Sequence, residues 1–87
     1  MRFEDVQVSA EHFYALGRDC QTGGYYLAIP VANRLVNYDE YYSITPAQFD
    51  AFRHDPPAAS EFADRCRRRE LDELLIFKPG SDRGAPF

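Results

Sequence analysis

Thr45-Pro46-Ala47-Gln48 divides this 87-residue chain more sharply than any other stretch. The Thr45 hydroxyl can accept from the backbone N–H of Gln48 while the Gln48 side chain returns to the N–H of Thr45, which is a capping box. Proline at the first helical position forfeits nothing, because that N–H has no partner in a helix. The chain therefore turns helical at residue 46, and what precedes it reads as strand. Tyr25, Leu27, Ile29 and Val31 alternate with Tyr26, Ala28 and Pro30, which puts the two sets on opposite faces. Asp19-Cys20-Gln21-Thr22-Gly23-Gly24 reads as a turn in which the glycine pair supplies positive φ, so residues 11–31 predict a β-hairpin. Pro30 cannot donate to a ladder and belongs at an edge, a bulge or a strand end. Tyr38 to Ile44 predicts a third strand, and Phe3, Val6 and Val8 mark a short strand or an ordered lead-in.

Beyond the cap, Phe49 and Phe52 share the apolar side of a short helix that ends near His54. Asp55 then caps a second helix running to about Arg69, with Ala59, Phe62, Ala63 and Cys66 as its apolar stripe. Glu61 with Arg65, and Asp64 with Arg68, stand at the favourable i,i+4 spacing. Leu71–Phe77 reads as a last helical turn leading into a short strand at Leu74–Phe77, and residues 78–87 as a flexible tail. The expected architecture is one α+β domain over residues 1–77. It has a small antiparallel sheet of three to four strands, followed by two short helices packed on one face.

Composition narrows the function classes. Hydrophobic residues reach 45%, which argues against disorder, and a net charge of -4 disfavours nucleic acid, whose backbone asks for a basic face. The first 44 residues hold three basic against six acidic side chains, so the acidic excess sits mainly in the sheet region. Cys20 and Cys66 are too few for a disulfide scaffold. No signal segment or membrane-spanning apolar run stands beside them, so a cytoplasmic protein with reduced thiols and no membrane contact is expected. No CxxC or HxxxH spacing occurs and Gly23-Gly24 stands alone, so neither a metal nor a cofactor is expected. His12 and His54, the latter beside Asp55, connect to no nucleophile motif, which points away from an enzyme. Arg65, Arg67, Arg68 and Arg69 end a helix, where positive charge suits the macrodipole, and no aromatics interleave with them.

The tyrosines carry the functional signal. Tyr14, Tyr25, Tyr26, Tyr38, Tyr41 and Tyr42 all fall in the sheet region. If Leu27, Ile29 and Ile44 point inward, so do Tyr25 and Tyr42, leaving an outer face of Tyr26, Tyr41 and Asp39. Glu40 is expected near the strand start, close to solvent. Tyr26, Asp39, Glu40 and Tyr41 are thus the candidate partner contacts, with Asp50 and Asp55 at the rim. Exposed tyrosines beside carboxylates are the stuff of interface hot spots. On this reading Tyr41→Ala with Glu40→Lys folds normally and loses the partner.

The run YYLAIPVANRLVNYDEYYSITPAQFDAF, followed by PAASEFADRCRRRE, resembles small immunity proteins that bacteria keep against their own polymorphic or contact-dependent toxins. The resemblance spans roughly residues 11–77. It implies a non-enzymatic inhibitor that neutralises a cognate protein toxin at or near its active site, the acids complementing a basic cleft. A phage-encoded inhibitor of a host machine would use the same surface. The alternative from another class is a scaffold subunit associating through an apolar sheet edge at Pro30 and Leu35-Val36. Nothing in the sequence indicates a homo-oligomer.

Overall fold

A computed structural model describes residues 1–80 and 83–87. Four antiparallel strands form a meander in the order β1 (Phe3–Ser9), β2 (Tyr14–Asp19), β3 (Gly24–Ala32), β4 (Asn37–Ile44). Helices α1 (Pro46–His54) and α2 (Pro56–Arg67) follow, then a single 3-10 turn at Asp72–Leu74 and a two-residue strand β5 (Ala85–Pro86). The expected α+β class with two helices after the sheet holds.

The capping box forms at both ends. Gln48 N–H donates to Thr45 Oγ1 at 3.0 Å, and Thr45 N–H donates to Gln48 Oε1 at 2.9 Å. Asp55 caps α2 by accepting from the Ala58 N–H at 3.3 Å. Both helices pack on the sheet face that carries Leu16, Leu27, Ile29, Val31, Tyr42 and Ile44, where Phe49, Phe52, Phe62 and Cys66 complete the core. The Tyr25 ring stacks on Phe49 with centroids 4.3 Å apart. Each of these large side chains contributes about 1.5–3 kcal/mol by leaving water.

Three local expectations change. The i,i+4 ion pairs do not form: Arg67 pairs with Asp64, while Arg65 and Arg68 both turn to Glu70. Arg67 Nη2 also donates to the carbonyls of His12 and Phe13, bracing the turn between β1 and β2. Phe13 sits there at φ 54, a left-handed conformation that a side chain rarely adopts unsupported. Of the glycine pair, only Gly23 takes positive φ, at 77°. Leu74–Phe77 makes no strand, only an isolated bridge from Leu75 to Tyr42.

The last residues, expected as a flexible tail, make contacts with the sheet. Positions 81–82 lie outside the described residues, but Ala85 and Pro86 pair with Ala32 and Val31 of β3. Arg83, 12% exposed, donates to Glu40 at 2.7 and 3.2 Å and to Asp72 at 2.8 and 3.0 Å. Gly84 N–H donates to the Tyr38 hydroxyl at 2.7 Å, and a Cβ there would meet the Ala32 carbonyl at 2.6 Å. Gly84 lets the backbone lie close against β3.

Candidate functional site

The sheet face opposite the helices is the candidate site. Strand register assigns its residues: Val8 lies beside Ala15, Ala15 beside Ala28, and Ala28 beside Tyr41, while Pro30 lies beside Asp39. In the next row Asp5, Gly17, Tyr26 and Ser43 align. The centre of this face is therefore built from small residues, with acids and aromatics around it.

Tyr26 is on this face, as alternation requires, but it is 0% exposed. This corrects the expectation of a solvent-facing contact. Gly17 explains the burial: a Cβ at that position would collide with the Tyr26 hydroxyl and ring, so the missing side chain is where the tyrosine lies. The hydroxyl crosses β2 to donate to Asp5 Oδ1 at 2.6 Å. Phe3 and Tyr41 close over the ring edge-on, at centroid distances of 5.3 and 5.0 Å, and stack on each other at 3.9 Å. Phe77 meets Phe3 edge-on, and the Arg2 guanidinium lies 5.0 Å from both ring centroids. Burial and the Asp5 carboxylate drive the Tyr26 hydroxyl far above its ordinary pKa, so it remains a donor.

Glu40 is the second correction. It shares its parity with Tyr42 and Ile44, so it points to the helix side, where it is 7% exposed. There it accepts from Arg83 and, at 2.8 Å, from the Tyr42 hydroxyl. A lysine at this position would meet Arg83 in a buried space, so Glu40→Lys tests stability rather than binding. Asp50 is exposed on α1, and Asp55 is occupied as the α2 cap; both belong to the helix layer on the far side of the sheet from Asp39 and Tyr41.

Of the six residues expected from sequence, the structure brings Asp39 and Tyr41 together on the open sheet face, with Tyr26 beneath, and leaves Asp50 and Asp55 exposed on the helix layer. Asp39 separates two depressions. One, about 450 Å³, is lined by Tyr38, Tyr41, Phe77, Lys78 and Arg83 among others. The other, about 330 Å³, has Asp5, Val8, Phe13, Ala15, Ala28 and Pro30 among its walls. Nearby apolar groups and then the Asp5 charge hold the Asp39 carboxyl above its ordinary pKa. The Tyr41 hydroxyl is raised by burial and then by Asp39. Among the described residues neither Asp5 nor Asp39 has a basic group within ion-pair distance.

Sequence reasoning missed Asp5, Val8, Phe13 and Ala15. The only signal was the small residues Ala15 and Ala28, which leave room above the backbone. Among the described residues no group of three or more His, Cys, Asp or Glu side chains is placed to hold a metal. His54 Nδ1 lies 2.8 Å from the Asp50 carbonyl in its own helix, and both cysteines are free, Cys20 exposed and Cys66 buried. The Cys20 thiol donates to Glu4 at 2.7 Å and is raised by that bond, which keeps it protonated. No described helix is long and apolar enough to cross a membrane. No protein-family model, curated protein or solved structure matches this chain.

Proposed function

We propose that this chain is a non-enzymatic protein-binding module whose working surface is the open face of its sheet. Its partner is basic at the point of contact. On this reading it is an immunity protein that covers the basic active-site cleft of a cognate bacterial toxin domain. One observation carries it: Asp39 and Asp5 share an aromatic, partly apolar face, without an ion-pair partner among the described residues and uncovered by the helices. Holding two carboxylates together beside apolar walls costs free energy in the isolated molecule. A cationic partner relieves that cost on arrival, and its approach is accelerated by the same field. Tyr41 supplies the rigid ring that such contacts use as an anchor.

The test is co-expression with the product of the neighbouring gene, scored by host growth and co-purification. The native chain should restore growth and co-purify, and Tyr41→Ala with Asp39→Lys should lose both while still unfolding cooperatively. A harmless neighbour, or full protection by the double variant, would end this reading. Association through an apolar sheet edge retains only the exposed Leu35-Val36 turn, since β5 already occupies the edge at Val31 and Ala32. Partner binding insensitive to salt would favour that second reading.

A further inference from the structure

We infer that the trough between the β1–β2 turn and Asp39 receives an extended partner segment presenting an arginine next to an apolar residue. The inference rests on the protein-binding reading and names what that surface recognises. The β2–β3 pairing ends at Ala15 and Ala28, and β5 takes up β3 again only at Val31. The interval between the two ladders opens the trough. Its floor is two alanines, so depth comes from missing side chains. Its walls are Val8, 65% exposed, and Phe13, 53% exposed. Both are large apolar groups left to solvent where they line a cavity of about 330 Å³. They suit an apolar side chain entering from the turn end.

The opposite end is acidic. Asp39 lies beside Pro30, and Asp5 accepts the Tyr26 hydroxyl on Oδ1, leaving Oδ2 as an acceptor. Two carboxylates on different strands ask for a cation with several fixed donors, and the guanidinium fork provides them. An arginine also keeps a flat, weakly hydrated face that lies against the apolar walls of the trough, which a lysine ammonium lacks. A bare metal ion is a poorer fit, because much of the wall is hydrocarbon.

The probe is acetyl-leucyl-arginine amide, titrated into the ¹⁵N-labelled chain, with acetyl-leucyl-norleucine amide as the control. The expected result is a saturable set of shifts at the Ala15, Ala28 and Asp39 amides, weakened by salt and absent with the control. Asp5→Asn with Asp39→Asn keeps the acceptor for Tyr26 and should weaken the probe about tenfold, the scale of lost charge-assisted hydrogen bonds. Val8→Arg, a change on an exposed wall, should do the same, because its own guanidinium competes for the two carboxylates. Shifts that are absent, scattered or equal with norleucine would overturn the inference. So would shifts that grow with protein concentration alone, which would mean that a second copy covers the face. If the titration fails while growth protection depends on Asp39 and Tyr41, the binding-module reading survives and the trough loses its role. If the probe binds while protection fails, the trough stands and the toxin partner falls.

Discussion

Glu40 and Asp39 are adjacent acids with opposite surroundings, and the strand period separates them. Glu40 is nearly buried between Arg83 and Tyr42, so removing it leaves the Arg83 guanidinium, among the described residues, with Asp72 as its one carboxylate partner. Glu40→Ala should cost about 3 kcal/mol, as when one partner of a buried ion pair is lost. The fall in the urea midpoint measures it, and a change within a few tenths of a kcal/mol would contradict the buried pairing. Counting back from Ile44 in steps of two reaches Tyr42 and then Glu40, so its inward direction was legible in the sequence. Its charge argued for solvent instead, and the partner that resolves the conflict lies 43 residues away. Tyr26 shows the complementary limit. Alternation placed it on the correct face, but its burial depends on the empty space at Gly17, which no periodicity reveals.

The elements differ in how far local sequence determines them. The capped helices were legible because each cap is a contact within four residues, and the stripe Ala59, Phe62, Ala63 and Cys66 is the buried side of α2. The β3–β4 turn is also local, since Asn33 Oδ1 accepts from the N–H groups of Leu35 and Val36 at 2.8 Å. The β5 segment was not legible: two residues have no detectable period, and its anchors are Arg83, Tyr38 and the Ala32 backbone. Gly84→Val should dislodge it, because the added carbons enter the space of the Ala32 carbonyl. Hydrogen exchange at the residue-84 amide, and at the Phe87 amide that donates to the Pro30 carbonyl at 3.3 Å, should then accelerate by at least about tenfold, while exchange in the β2–β3 hairpin stays unchanged. Retained protection at both amides would show that the strand is held by something other than this close approach.

On the scale of the whole molecule, arginine–carboxylate pairs fasten both ends of the chain. Arg2 donates twice to Asp19 at 3.0 Å, tying the first residues to the β2–β3 turn, and Arg83 ties the last ones to Glu40 and Asp72. The Arg2 hydrogen bonds hold the Asp19 carboxyl down at about 2, against an ordinary 3.8, and those from Arg83 lower Asp72 as well. A carboxyl lowered in the folded state stabilises it above its unfolded pKa, and that stabilisation fades as pH falls through the folded value. The urea midpoint should therefore drop as pH falls from about 4 towards 2. Arg2→Gln should flatten Asp19's part of that slope while lowering the midpoint at neutral pH. An unchanged slope would mean that Asp19 gains nothing from Arg2. The charge ledger of the sequence pointed to the acidic half but could not pair these residues, because pairing is a property of the closed chain. The sheet also divides its labour between two sides. Helix-side residues interlock with distant partners, so changes there propagate. On the trough side, shape comes from the small side chains at Ala15 and Ala28, and chemistry comes from a rim of Val8, Phe13 and Asp39. Such a rim can be rewritten one residue at a time without repacking the core, so its shape and charge can diverge while the scaffold stays the same.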